Sequence, residues 1–555
     1  MKKIFETSCG FVFGVLSFTF TSLSVEAAER IYIDYGSMEA SIPVAALQEY
    51  ATENKIAPEL APYLKILTSE EQEKLREILQ MELVVEPQQL RQVFQSQMGK
   101  LLFETIGEMI QVKDDKNGQN GAIAIQDAVL QAATSPEDFT PLNIIDQFSG
   151  DIQLNVVKIQ ALFDNISTLK QETASLVQTL ENITQTEAKL EPETDFSQLA
   201  DLRSKGQFKR THEALRLQDS QRDREFLVNL YFPRELSGEP ESIPVVVVSP
   251  GLGATDETGL HFINHLVSHG YFVVSVHHPH SNFRYLQAFF EGQTSDAFDV
   301  KEFINRPLDI TFVLDELEKR NSIQFQGKLN LKQVGVAGQS FGAYTALALA
   351  GAKINFEQLK QDCRAPIELL NLSQLLQCQA LMLPEKYYSL KDDRIVAAFV
   401  TDPVSRSVFG EAGLNEVNLP VFWGAGSSDR LTPVMLEQLH AFTWLSSPNK
   451  YFALTKGSQH LNLNFETLKG LDTLEEEALP ELVSQNLPII ETYVQAMSLA
   501  FFQVYVADRS NYKPYLRSSY AVTISQEPHT LSFLSSSSSH KLTNILTQII
   551  GRTNQ

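Results

Sequence analysis

The sequence predicts an α/β fold, a mostly parallel sheet with helices on both faces, over residues 206–508. Three observations predict it. "IPVVVVSPG", "YFVVSVHHP", "QVGVAGQ", "RIVAAFVTD", "LPVFWGAG" and "KYFALTKG" are short apolar runs, the pattern of strands buried on both faces. Helical stretches over 258–269, 306–319 and 342–351 lie between them, and such alternation implies a parallel sheet covered on both sides. The chain, at 555 residues, also exceeds one ordinary domain, so a second domain is expected beside the sheet. Chemistry on sheets of this kind gathers at the carboxyl ends of the strands.

The elements follow in chain order. Residues 1–28 read as an export signal: Lys2 and Lys3 open it, 7–25 carry no charge, and Val25 and Ala27 have the spacing of a signal-peptidase site. The alternative is an uncleaved anchor, disfavoured by the Ser and Thr that make the segment weakly apolar. No other stretch is long and apolar enough to cross a membrane. Residues 29–205 read as a mainly helical domain. Thr68 and Glu71 form a capping box ahead of Leu75, Ile78 and Leu79 at helical spacing. "EPQQLRQVFQSQMGKLLFETIGEMI" predicts one helix with an apolar face of Leu90, Val93, Phe94, Met98 and Leu101. A third helix is expected from about Asp151. Ile152, Ile159, Ile166, Thr173 and Leu180, with Leu162, Leu169, Leu176 and Ile183, make a heptad seam. The flanking positions carry no organised opposite charges. Packing on its own chain is therefore preferred to a homodimeric coiled coil.

Within the sheet region, "REFLVNLYFP" alternates like a strand, and 353–390 interrupts the pattern as an insertion placed like a cap. Once Cys9 is removed with the signal, Cys363 and Cys378 remain. Export would let them pair, and two buried thiols are the alternative. "PIIETYVQAMSLAFFQVYV" predicts a long buried helix. Residues 509–555 read as a tail, with "SSSSSH" as a flexible spacer.

The formal net charge is −23. That argues against binding the nucleic-acid backbone, which needs clustered Lys and Arg, and no Lys/Arg run suggests a local basic patch; it also gives no general attraction to anionic membranes.

"GQSFG", residues 338–342, follows an apolar strand and opens an Ala-rich helix. That context suits a serine nucleophile, Ser340, on a sharp strand-to-helix turn. A nucleophilic serine needs a base, and His460 in "LTKGSQHLN" lies just beyond a strand. The base needs a carboxylate. Asp429 in "GAGSSDRLTP" supplies it, and Asp402, ending "AAFVTD", is the rival. Phe341 N–H and Leu252 N–H, the latter in "SPGLGAT", are the expected oxyanion donors. "GLGATDETG" matches neither a dinucleotide nor a Walker pattern, and no cofactor is expected. His261, His265 and His269 could share a helix face but are expected to face water. With "HHPH" (277–280) they lack an obvious carboxylate ligand, so no metal is expected.

These pieces resemble α/β-hydrolases of the dienelactone-hydrolase-like and platelet-activating-factor acetylhydrolase-like group. "VVVVSPGLGAT", "LVSHGYFVVSVHHP", "NRPLDITFVLDEL", "GVAGQSFGAYTALALAG", "GAGSSDRLTP" and "KGSQH" carry the likeness. "LPVFWGAGSSDRLTPV" is also similar to the acid-bearing segment of bacterial lipase and cutinase-type enzymes. "AERIYIDYGSMEASIPVAALQEYA" resembles a domain of unknown function that precedes such hydrolases in cyanobacterial proteins. The resemblance implies a serine hydrolase of carboxylic esters, small-molecule or lipid, that needs no cofactor, and the N-terminal signal leads us to expect it in the periplasm or outside the cell. In the acetylhydrolases the acid comes from the earlier strand, which keeps Asp402 open. Dienelactone hydrolases proper use cysteine, so Ser340 departs from them. A non-catalytic binding protein on the same fold and a serine peptidase are the alternatives.

Overall fold

The structure, a computed structural model, describes residues 27–35, 38–65, 67–83, 85–113, 121–236, 238–255, 257–364, 367–460, 487–539, 541, 542, 544–546 and 549. The expected export signal lies, but for its last two residues, outside the described residues.

Thirteen strands are described. β1 (Arg30–Tyr35), β2 (Met38–Pro43), β3 (Ile110–Val112) and β4 (Ile152–Asn155) form a four-stranded sheet in the order β2-β1-β4-β3. β5 (Arg210–Asp219), β6 (Arg224–Pro233), β7 (Ile243–Ser249), β8 (Phe272–Val276), β9 (Leu329–Gln339), β10 (Ile395–Thr401), β11 (Val421–Gly426), β12 (Lys450–Thr455) and β13 (Leu531–Leu534) form a nine-stranded sheet. Its order is β13-β12-β11-β10-β9-β7-β8-β6-β5. The six strands from β8 to β12 in that order run parallel, and the outer pairings are antiparallel.

The strand runs explain this sheet. β-branched residues fill β7, and successive side chains of a strand point to opposite faces. Val245 and Val247 enter the core under helices Glu302–Gln324 and Phe341–Leu349, and Val246 and Val248 enter the one under helices Leu260–Ser268 and Leu487–Tyr505. Burying such a side chain on either face stabilises by roughly 1.5–3 kcal/mol, so an all-apolar run is stable only with helices on both sides. A Cβ at Gly335 would lie 2.8 Å from the Phe502 ring. Glycine there lets helix Leu487–Tyr505 lie directly on β9.

Several expectations need correction. The region before the large sheet is helical, but it also holds the four-stranded sheet, in which β1 pairs in parallel with β4. Residues 152–155, expected to start the third helix, are β4; the helix runs Val156–Leu190. Of its heptad seam, Leu176 and Leu180 are buried within their own chain, where the helix packs on β13 and on helix Ser518–Ile524. The single helix expected after Glu86 is two, Pro87–Gln95 and Gln97–Gly107, because Ser96 is extended and caps the second through Gly99 N–H. Residues 509–555 are not a simple tail: β13 extends the sheet beyond residue 508 by antiparallel pairing with β12. Ser538 and Ser539, in the expected spacer, are buried. The outer edge of β12 would otherwise leave a row of unpaired backbone groups, and the Leu531–Leu534 run pairs it. Among the described residues no helix is long and apolar enough to cross a membrane.

Cys363 and Cys378 form a disulfide within the 353–390 insertion. Gln377 and Asn371 of the insertion donate to buried Glu437, which also accepts from the Ser405 and Arg406 amides. Ser373 N–H donates to the Leu431 carbonyl oxygen. The insertion is thus tied to the segments that follow β10 and β11. Closing a loop of 15 residues restricts the unfolded chain by about 3 kcal/mol in the loop-entropy account. Replacing both cysteines by serine is expected to lower the melting temperature, and thiol titration in denaturant should find two further thiols only after reduction. Equal thiol counts with and without reductant would contradict the bond.

Candidate active site

Ser340 sits between β9 and helix Phe341–Leu349, with φ 57° and ψ −122°. A non-glycine residue at positive φ is strained by roughly 1–3 kcal/mol. The turn is enforced by contact on both sides. A Cβ at Gly338 would lie 2.2 Å from the Gly342 carbonyl oxygen, and one at Gly342 would lie 1.8 Å from the Ser249 carbonyl oxygen. Only glycine at both positions lets strand and helix approach this closely.

His460 follows β12, and Asp429 lies in the loop after β11. His460 Nε2 is 2.9 Å from Ser340 Oγ, and its Nδ1 is 2.7 Å from Asp429 Oδ2. All three side chains meet at the carboxyl edge of the parallel strands. The Gln339 side-chain amide donates to the His460 carbonyl oxygen at 3.1 Å, fixing the histidine backbone beside the serine.

Asp429 is almost fully buried yet well supplied with donors. Leu431 N–H and Thr432 N–H donate to Oδ1 at 2.8 and 2.9 Å, and Thr432 Oγ1 donates to Oδ2 at 2.6 Å. Burial alone would raise its pKa, but the His460 charge and these hydrogen bonds hold it below the ordinary value. For His460, burial works against the charged ring. The Asp429 carboxylate outweighs it by charge and by hydrogen bond, and lifts the pKa above the ordinary 6.5.

Asp402, the rival acid, is in the same site. It follows directly on β10 at φ 46°, is buried, and accepts from Gly426 N–H at 2.9 Å. It is not within hydrogen-bonding contact of the imidazole among the bonds described. Burial first, and then the charge on Asp429, push its pKa up to about 8. Two neighbouring buried carboxyls cannot both ionise cheaply, so at neutral pH Asp402 carries the proton and Asp429 the charge.

Phe341 N–H opens its helix and has no intrahelical acceptor. Among the described residues neither it nor Leu252 N–H meets a protein acceptor. A Cβ at Gly251 would lie 3.5 Å from Ser340 Cβ, so the loop carrying Leu252 passes directly beside the serine.

The histidine groups behave differently from expectation. His261 is exposed, but His265 is buried rather than facing water. Burial, with help from His269, pulls the His265 pKa down to about 4. His278 of "HHPH" does have a carboxylate neighbour: Asp309 Oδ2 is 2.9 Å from its Nδ1. Asp309 belongs to a buried network with Arg224, Glu302, Arg306 and Ser249 that sequence reading missed. The signal was present in "EFINRPLDI", where charged residues fall on the buried side of a helix.

A family model described as "Alpha/beta hydrolase of unknown function (DUF1400)" matches residues 27–155. The matched stretch is the region of the four-stranded sheet and precedes Ser340, Asp429 and His460. No curated protein matches the chain. The strand order and the family description agree on an α/β-hydrolase-like fold.

Proposed function

We propose that this chain is an exported serine hydrolase that cleaves carboxylic esters through an acyl-enzyme, with Ser340 as nucleophile, His460 as base and Asp429 as the acid. The observation that carries the reading is the unbroken chain from Ser340 Oγ through His460 to Asp429, with the serine held at a strained strand-to-helix turn. In this reading His460 Nε2 takes the serine proton as Oγ attacks the acyl carbon. Asp429 accepts from Nδ1–H, which fixes the tautomer and stabilises the imidazolium. Leu252 and Phe341 amides receive the developing oxyanion. His460 then returns the proton to the leaving alcohol, and water repeats the sequence to release the acid. No cofactor enters. The sequence likeness to the dienelactone-hydrolase-like and acetylhydrolase-like group supports the reaction class, and the disulfide supports export to an oxidising compartment. Lipid esters are the favoured substrates because apolar N-terminal helices pack on the insertion: helix Gln97–Gly107 lies against helix Ser373–Gln377, and Ile367 N–H donates to Thr105 Oγ1. The 27–155 region is read as a domain that supports this cap.

A series of p-nitrophenyl esters from acetate to palmitate, run beside fluorophosphonate labelling, tests the reading. Labelled protein with ester turnover supports it. Labelling with amide turnover exceeding ester turnover would indicate a peptidase, and absence of both would indicate a binding protein.

The pH dependence has a defined sign. Only the neutral imidazole can accept the serine proton, and the His460 pKa is raised. The kcat/KM profile should therefore fall on the acid side with a midpoint above 6.5, the ordinary histidine value. An acid limb below that value would contradict the His460–Asp429 coupling.

A further inference from the structure

The two proposed oxyanion donors lie on separate segments, the loop after β7 and the first turn of helix Phe341–Leu349. One side chain reaches both. Arg306 is 1% exposed. Its Nη2 donates to the Pro250 carbonyl oxygen, immediately before Gly251, and to Ser249 Oγ at 3.3 Å. Its Nη1 donates to Ser281 Oγ at 2.8 Å, and the Ser281 carbonyl oxygen accepts from Gly253 N–H at 2.8 Å. Leu252 is therefore held from both sides, at residue 250 directly and at residue 253 through Ser281. Toward the helix, Arg306 Nε donates to Thr345 Oγ1 at 3.1 Å, and that hydroxyl donates to the Phe341 carbonyl oxygen at 3.1 Å. The guanidinium carbon also stands 4.6 Å from the centroid of the Phe341 ring.

A buried guanidinium is costly, and packed apolar residues often stabilise a core as well or better. Here the charge is balanced by design of the surroundings. Arg224 binds both Glu302 and Asp309 at 2.8 Å, and Arg222 binds Asp309 at 2.9 Å and Asp219 at 2.6 Å, so with Arg306 three guanidiniums face three carboxylates. With His278 Nδ1–H donating to Asp309, its Nε2 is left to accept from the Ser249 hydroxyl at 3.1 Å. Ser249 Oγ then has a lone pair for Arg306. Among the described residues, every hydrogen bond of the Arg306 guanidinium ends on Ser249 at the end of β7, on Pro250 of the oxyanion loop, on Thr345 in the first turns of the helix after Ser340, or on Ser281, which anchors that loop.

We propose that Arg306 is a positioning residue that locks the Leu252 and Phe341 amides into one preorganised oxyanion hole. This rests on the ester-hydrolase reading of the same site. Lysine keeps the charge but not the planar fork that serves several acceptors at once. In the full-length protein, Arg306→Lys is expected to lower kcat on p-nitrophenyl butyrate by about 10²-fold, the cost of a lost oxyanion donor. KM should move less than about threefold, because the interaction matters in the transition state and not in the ground state. Affinity for a trifluoromethyl ketone, whose adduct carries the oxyanion, should fall by the same factor as kcat. The acid limb of the pH profile should stay in place, since the His460–Asp429 pair is untouched. Thr345→Val is nearly isosteric and removes the Thr345 hydroxyl link, both the Nε contact and the bond to the Phe341 carbonyl oxygen; it should fold normally by circular dichroism and lose kcat about fivefold, a fraction of that donor's worth. The proposal is overturned if folded Arg306→Lys retains kcat, if its loss lies in KM, or if Arg306→Lys loses activity only as it unfolds while Thr345→Val turns over at the wild-type rate. Fluorophosphonate separates the two levels. A wild-type protein that takes no label on Ser340 overturns the hydrolase reading and this proposal with it. A wild type that labels, beside an Arg306→Lys that labels equally fast, overturns this proposal alone.

Discussion

Replacing Ser340 by alanine is expected to lower ester turnover by about 10⁶-fold and to abolish fluorophosphonate labelling. His460→Ala should cost about as much, and the double variant no more than either alone, because the two groups act as one unit. Stability provides the sharper discrimination. Ser340 sits at φ 57°, a conformation that burdens any residue with a Cβ. Alanine keeps that strain and loses only the bond to His460, so its stability should change by no more than about 1 kcal/mol. Glycine relieves the strain, and Ser340→Gly is expected to be more stable than the wild type by about 1 kcal/mol or more while remaining inactive. A serine kept for the turn itself would behave in the opposite way, since removing it would destabilise the protein. A denaturant melt of the three variants beside their turnover decides between these outcomes. A strained backbone under a polar side chain points toward function rather than stability as the reason for the residue.

How much of this was legible in the sequence depends on the range of the interaction. The parallel strands announce themselves through local composition, since a run such as Ile243–Ser249 is apolar on both faces whatever surrounds it. The places of Ser340, Asp429 and His460 were legible for the same reason: each follows a recognisable strand, and the strand order carries them to one edge. The missed elements are short and paired over long separations. β1 pairs with β4 across more than a hundred residues, β3 is only Ile110–Val112, and β13 is only Leu531–Leu534. Such segments have no periodicity of their own; their partner defines them. His265 was misjudged because a helix face is buried or exposed according to what packs on it, and here residues near Leu202 do. The Arg306 network was hidden differently. Its members come from β6, the β7 and β8 ends and helix Glu302–Gln324; only the helix part leaves a local trace, in "EFINRPLDI", and the fold alone joins the rest to it.

Asp429→Asn is expected to lower kcat by about 10⁴-fold, whereas Asp402→Asn should cost less than about tenfold. The two carboxyls compete for one negative charge, and their hydrogen bonds determine which keeps it. Asp429 accepts from Leu431 N–H, Thr432 N–H, Thr432 Oγ1 and the His460 ring. Asp402 accepts from Gly426 N–H. Donors stabilise the ionised form, so Asp429 is the anion and Asp402 remains a neutral acid at pH 7. Asparagine at 429 would present an amide N–H or the wrong acceptor to His460 and disturb the tautomer that the base requires. Asparagine at 402 replaces one neutral group by another of the same shape. A second readout follows from the Asp402 pKa of about 8, against an ordinary 3.8. In that window the folded state holds a proton that the unfolded chain has released, so this group's contribution to stability falls as pH rises through it. Asp402→Asn removes the dependence. Relative to wild type the variant should therefore gain stability on going from pH 5 to pH 9, measured as the difference in denaturation midpoint at each pH. Loss of turnover in Asp402→Asn with retention in Asp429→Asn would transfer the acid's role to Asp402. A stability difference that does not change with pH would show that Asp402 is ionised throughout, and would remove the reason for assigning the charge to Asp429.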